Sequence, residues 1–408
     1  MPELSAFAPD RAVDRAAAER FAATELPSPE EEVWRYSRIA DLELARFAPA
    51  AEEATRPAAD LPQRVRDVLA LAEGTGSLAA VTVNGRLVHQ QALGGRADGG
   101  TLTAEAAPAR LESTDVFALL NEAFATPLVV RTSPGATIDP VVIVHWIDGT
   151  GVAAFPRTVV DAGADSELAV LEVLLSADGC AAFVDPVVEL HIGKAARVGH
   201  LGVQDLGLDV WQVANQLSTV DADATLTVTA AAFGGEYARL RTDCRLVGRG
   251  ATGRLRALYF GEADQALDFR TFQDHAAPDT TSELLYKGAV GGRSRSIYTG
   301  LIRVRPDARG TNAFQTNRNI KLSDGAWAES VPNLEIENND VRCSHASAVG
   351  PVDEEQRFYL ESRGVPPQVA ERLIVAGFFD EVLDDLPVSA AIGPLRELVN
   401  GKLDRRES

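Results

Sequence analysis

At 408 residues the chain can bury a substantial interior and is too long for one ordinary core, so two or three domains or one elongated architecture are expected. Its 39 Lys plus Arg against 59 Asp plus Glu give a net charge of −20, which phosphate backbones and anionic membranes would repel; proteins or cations are the expected partners, not nucleic acid or lipid. The three cysteines, Cys180, Cys244 and Cys343, lie far apart and form no CxxC pair, which argues against a disulfide framework or a zinc ribbon and suits a reducing compartment.

In chain order, residues 9 to about 75 read as helical. The chain starts without a basic stretch running into an apolar core, and no apolar run approaches the roughly 20 residues that span a bilayer, so a soluble, cytoplasmic protein is expected. In the segment 26–36 (LPSPEEEVWRY), Ser28 can cap a helix, Pro29 suits its first position, and Glu30, Glu31 and Glu32 fill its positive first turn. A hairpin follows, turning at Asn84-Gly85, a pair that readily takes the positive φ angles of a two-residue turn. A further helix is expected over 113–125.

From about 127 to 348 the period changes to two. Short apolar runs at 141–147, 168–175, 187–192, 226–233, 240–247, 255–260, 302–305 and 334–336 are punctuated by Gly, Asp and Asn. Leu240, Thr242, Cys244 and Leu246 alternate with Arg239, Arg241, Asp243 and Arg245, which makes Cys244 a core residue rather than a ligand. Many short strands without intervening helices exclude a doubly wound fold and leave a sandwich, a barrel or a β-solenoid; no strict short repeat is present, so a solenoid would be an irregular one. Gly248, Gly250 and Gly253 match GxGxxG, but a strand-like run follows where a dinucleotide site needs a helix, so they read as turn residues. There is no GxxxxGK[ST], so the chain is not expected to hydrolyse ATP by itself. His145, His191 and His200 have no ligand-spaced companions and read as structural; His275 opens a polar stretch of the kind that satisfies turns, with a functional role left open.

Near the C-terminus, Cys343 and His345 fall two residues apart on one face of a strand, with Val341. A thiolate and a neutral imidazole both suit iron, iron-sulfur clusters and zinc, yet two donors do not complete a site. Either Cys343 packs and His345 is a satisfied polar residue, or the missing ligands come from elsewhere. Two helices follow. Asp353 with Gln356 begins the first, Gly364 stops it, and Pro366-Pro367 opens the second, whose apolar stripe includes Val369, Leu373, Ile374, Phe378, Val382 and Leu383. That stripe either packs on its own neighbours or docks a partner.

The run Arg342-Cys343-Ser344-His345-Ala346, the acidic Asp353-Glu354-Glu355 and the helix Phe358-Tyr359-Leu360-x-Ser362-Arg363-Gly364 together resemble the C-terminal junction of SufD subunits of the Suf iron-sulfur cluster assembly machinery. The PEEEVWRY run around Trp34, the Leu119–Phe124 helix, His275, the 281–288 stretch and the 296–300 stretch are similar to the SufB/SufD family as well. The resemblance implies a mainly β protein: a right-handed parallel β-helix core over 126–350, flanked by an N-terminal mostly helical domain with a small hairpin (1–125) and a C-terminal helical domain (351–408). It further implies a non-catalytic scaffold subunit that pairs edge to edge with a SufB-like protein and binds a SufC-like ATPase. The docking surface for that ATPase would include Phe358, Tyr359, Arg363, Phe378 and Phe379. Cys343 and His345 would serve iron or a nascent cluster as half of an intersubunit site. Reduced flavin and a homodimer of the isolated chain are further family expectations, the flavin with no sequence feature behind it.

Between the two paralogues, SufD is favoured. No cysteine precedes Cys180, Asn317 stands where a SufB cysteine would align, and the junction reads Cys-Ser-His instead of Glu-His-Glu-Ala. The alternatives are a SufB-like cluster scaffold, a self-associating module without a metal role, and a β-helix polysaccharide lyase or hydrolase. The last would need clustered carboxylates and sugar-stacking aromatics, and aromatics are only 6% of the chain.

Overall fold

The computed structural model describes residues 5–51, 54–105 and 113–407. Its core is a parallel β-solenoid of about eight coils, with helices at both termini. Each coil lays one strand in each of two sheets. In the first sheet Trp211, Tyr237, Ala266, Arg295 and Trp327 stand side by side; in the second, Thr225, Thr252, Thr281 and Asn312 do so, and Val341 pairs with Thr311. Between the sheets runs an apolar lumen that includes Val160, Leu190, Leu226, Leu255, Phe269 and Tyr286. Cys244 is part of it, and burial pushes its thiol up to about 12.

The turns explain why so irregular a sequence can stack. Asp165, Ala195, Asp223 and Asp279 all have φ between 55° and 59°, and Gly250 and Gly310 occupy the corresponding turns at 73° and 71°. Each turn donates an amide to the next coil, as from Asp223 to the Arg249 carbonyl at 2.9 Å and from Gly250 to Pro278 at 3.2 Å. Asp tolerates the left-handed region better than most residues, so Asp and Gly alternate freely in this column and no strict repeat results. The GxGxxG match belongs to this column. Gly248 also lets two turns touch, since a side chain there would meet the Ala222 amide nitrogen.

Strand Val141–Ile147 is buried along its whole length because both of its faces are covered. Val141 and Ile143 face the lumen, while Val142, Val144 and Trp146 lie under the C-terminal helices and α2 (Gln63–Leu71). The N-terminal end of the solenoid is closed. Leu78–Val83 joins the second sheet in parallel and turns at Asn84-Gly85 into antiparallel Arg86–Ala92, and Gly100–Ala104 runs antiparallel to Leu128–Thr132 in the first sheet. Helices α1 (Arg15–Ala23) and α3 (Val116–Phe124) cover the first sheet through an aromatic cluster containing Phe7, Phe117, Phe124 and Phe183.

The long N-terminal helical region is not realised. Between α1 and α2 the described residues make short 3-10 turns and a two-residue strand, Ala48–Pro49, and 26–36 forms a single turn, Glu32–Trp34. The cap at Ser28 does form, Glu31 accepting from the Ser28 amide and Ser28 Oγ from the Glu30 amide, but only one 3-10 turn follows it. Tertiary packing decides the rest. Trp34 is buried with the Arg239 guanidinium 4.1 Å over its ring and Phe117 5.5 Å away, and Tyr36 leaves the turn at φ 69°.

On the second sheet lie α4 (Glu354–Ser362), α5 (Pro367–Leu383) and α6 (Ile392–Glu407). Asp353 caps α4 through the amides of Glu355 and Gln356, and Gly364 ends it at φ +86°. Buried cations anchor these helices to the sheet: Lys287 donates to the Phe378 carbonyl at 2.8 Å and pairs with Glu381, and Lys402 pairs with Glu262 at 2.9 Å. Among the described residues no helix is long and apolar enough to cross a membrane.

Candidate metal centre

The last coil is formed by Trp327–Ile336 in the first sheet and Val341–Pro351 in the second, and each is the terminal strand of its sheet. Cys343 pairs with Ala313 and His345 with Gln315. Paired residues of parallel strands point the same way, and Ala313 and Gln315 are buried, so Cys343 and His345 face the lumen at its open mouth. Val341 and Cys343 pack on Ile302, Val304, Ala308 and Ala313. Register with Tyr298, Gly300 and Ile302 sets Ser330, Pro332 and Leu334 on the facing wall.

Cys343 is half-buried and His345 exposed. Burial pushes the Cys343 thiol up, and the backbone at Ala313 opposes that shift. A thiolate there therefore needs a cation to stabilise it, which a soft metal supplies. Among the described residues no three His, Cys, Asp or Glu side chains converge to hold a metal ion. The mouth thus offers one soft sulfur and one imidazole nitrogen beside a strand edge with no neighbour, and further donors have to arrive from outside.

Three of the other histidines, His145, His200 and His275, are buried. His145 and His200 each place Nε2 2.9 Å from a different oxygen of Glu172, and Thr158 adds a hydroxyl at 2.6 Å, all inside the lumen. These bonds hold the Glu172 carboxyl far below the usual range against the cost of burying it. This trio is invisible one residue at a time, because its members come from successive coils. A small cavity of about 70 Å³ lies beside it, lined in part by His200, Gln212 and Gln216. His275 is buried between Thr280 Oγ1 at 2.7 Å and Ser282 Oγ at 2.8 Å, and desolvation lowers its pKa to about 4, which suits a neutral structural imidazole.

The expected docking residues separate. Phe358 is 72% and Tyr359 57% exposed, with the Arg363 guanidinium 5.1 Å over the Tyr359 ring. Phe378 is half-buried, 4.7 Å below Lys287 Nζ. Phe379 is a correction: it is fully buried, 6.5 Å from Phe260, and belongs to the core. Adjacent helical residues point about 100° apart, so one of the two had to turn inward. The expected surface omits exposed Val369 and Leu373 of the same stripe, though their spacing already places them together. Tyr359, Leu360, Leu373, Ile374 and Phe378 line an open groove between α4 and α5.

Known proteins resemble this chain in sequence. The profile described as "SUF system FeS cluster assembly, SufBD core domain" matches residues 145–378, which covers most of the solenoid and α4. An iron-sulfur cluster assembly SufBD family protein of Mycobacterium bovis is 36% identical over 279 residues, 66% of this chain and 69% of its own length. The iron-sulfur cluster assembly protein SufD of Escherichia coli is 28% identical over 374 residues, 89% of this chain and 86% of its own. The chloroplastic protein ABCI7 of Arabidopsis thaliana is 26% identical over 305 residues, 72% of this chain and 64% of its own. With a solenoid matched over more than half its length and relatives aligned along most of theirs, the chain belongs to the SufBD family of the SUF iron-sulfur cluster assembly system.

Proposed function

We propose that the chain is a SufD-type, non-catalytic scaffold subunit that supplies Cys343 and His345 to iron or a nascent cluster at the edge where a SufB-like partner pairs. The observation that carries this reading is the position of the two donors: on the lumen face of a terminal strand whose free edge offers unpaired backbone groups to another strand. Asn317 supports the SufD assignment, because it is buried and donates to Tyr259 Oη at 3.0 Å and to the Tyr286 carbonyl, a structural use.

The groove of α4 and α5 with exposed Phe358, Tyr359, Val369 and Leu373 is where a SufC-like ATPase would dock. That partner would supply the ATP hydrolysis for which this chain has no GxxxxGK[ST] motif. Its closure would bias the arrangement of the paired edges. The test is coexpression with SufB-like and SufC-like partners, anaerobic purification, and iron and sulfide analysis. The Cys343→Ser/His345→Ala double variant is expected to assemble normally and carry less iron and sulfide; wild-type loading of that variant overturns the assignment.

A further inference from the structure

Gln315 stands apart from the other polar side chains of the lumen. It is 1% exposed, yet neither its amide nitrogen nor its carbonyl oxygen has a hydrogen-bond partner. One step along the strand, Asn317 and Asn319 are bonded to each other and to Tyr259 Oη. Burying a carboxamide with both its donor and its acceptor unsatisfied is unfavourable, so Gln315 points to a partner.

The position of that partner is restricted. Gly300 leaves the space the amide occupies, since a methyl group there would come within 2.5 Å of Gln315 Nε2. In the last coil, Pro332 stands beside Gly300 and has no backbone N–H to give. On Gln315's own sheet, its neighbour in that coil is His345. Nearby Ser330 Oγ, on the facing wall, is also buried without a partner. Gln315 thus sits one coil beneath the imidazole and is its ladder neighbour.

We propose that Gln315 is the positioning residue of His345. Its carboxamide oxygen accepts the N–H of one ring nitrogen, which fixes the tautomer and leaves the other nitrogen, with its lone pair, beside Cys343 Sγ for a metal. Metal-binding imidazoles are routinely held in this way by an acceptor behind them. The inference rests on the donor role proposed above for Cys343 and His345, and the experiment separates the two.

The full-length chain, labelled with ¹⁵N-histidine, is examined by long-range ¹H–¹⁵N NMR at a pH where the imidazole is neutral, and then titrated anaerobically with Co(II). The wild type is expected to show one tautomer at His345 and a thiolate-to-cobalt charge-transfer band. Gln315→Leu should give mixed tautomers and about 10- to 100-fold weaker cobalt binding with unchanged circular dichroism. Gln315→Glu, which keeps an acceptor at the same reach, should restore the single tautomer and serves if the leucine variant does not fold. An unchanged tautomer and cobalt affinity in Gln315→Leu, with the band lost in Cys343→Ser, overturns the role of Gln315 alone. A cobalt band that survives Cys343→Ser overturns the donor assignment.

Discussion

The two ends of the solenoid are finished differently. At the N-terminal end each sheet stops in an antiparallel strand, Arg86–Ala92 in one and Gly100–Ala104 in the other, and an aromatic cluster closes one face over Trp34. At the C-terminal end the strands Trp327–Ile336 and Val341–Pro351 simply stop, with half-buried and exposed side chains along both. The helices that could have covered that end instead bind the outer face of earlier coils, through Arg256 to Asp385 and Lys402 to Glu262. Exposed edges are a liability that stable proteins usually remove, so leaving two on the coil that carries Cys343 and His345 favours use over stability.

The largest expected effect tests the closed end. Trp34→Ala removes a ring that is 2% exposed beneath Arg239 and should cost about 3–5 kcal/mol in chemical denaturation, as buried tryptophans do. A loss below about 1 kcal/mol would mean that the N-terminal cover is dispensable. Next comes the lumen two coils below the mouth, where His275 aligns with Val304 and then Ile336. Its folded pKa of about 4 lies below the ordinary value near 6.5, so the unfolded chain binds the proton first as pH falls. His275 should therefore withdraw about 3 kcal/mol of stability between pH 7 and pH 4. His275→Gln should show a correspondingly shallower pH dependence than the wild type in urea melts, and equal slopes would mean that the sealed interior does not begin there.

At the open end the expectation reverses. Cys343→Ser and His345→Ala should each change stability by less than about 1 kcal/mol, because half-buried and exposed side chains seldom carry more. A larger loss would make the pair structural and erase the contrast between the ends. The smallest stability effect belongs to Phe358→Ala, within about 0.5 kcal/mol, whereas its affinity for a SufC-like ATPase should fall measurably by calorimetry. Unchanged affinity would move the docking surface away from α4.

Stretches with one face in the lumen and one toward water, such as 241–246, were legible because burial alternates along them. Trp211–Val220 was not, because the N-terminal cover buries its outer face as well, and Gln212, Asn215, Gln216 and Ser218 are all nearly fully buried there. A helix over 26–36 was a fair inference from local preference, but Trp34 gains more by inserting between Phe117 and Arg239 than a helix would offer. Cys343 and His345 could be paired from their spacing alone. Gln315 could not be joined to them, since the register that brings it to His345 is set by turns and strands lying between the two. Phe378 and Phe379 could not be told apart until the docking of α5 chose which of them faces Phe260.

The unpaired edge also has a kinetic side. In a stack where each unit is held by its neighbours, an interior coil has two of them and the final coil only one, so it is the first to fray. The amides of 341–351 should then exchange with solvent faster than those of the coils behind them, and slow down when a partner strand adds to the edge. Cys343 and His345 sit on that fraying coil, so a metal held there could be taken up or released by peeling back one strand while the rest of the solenoid stays folded.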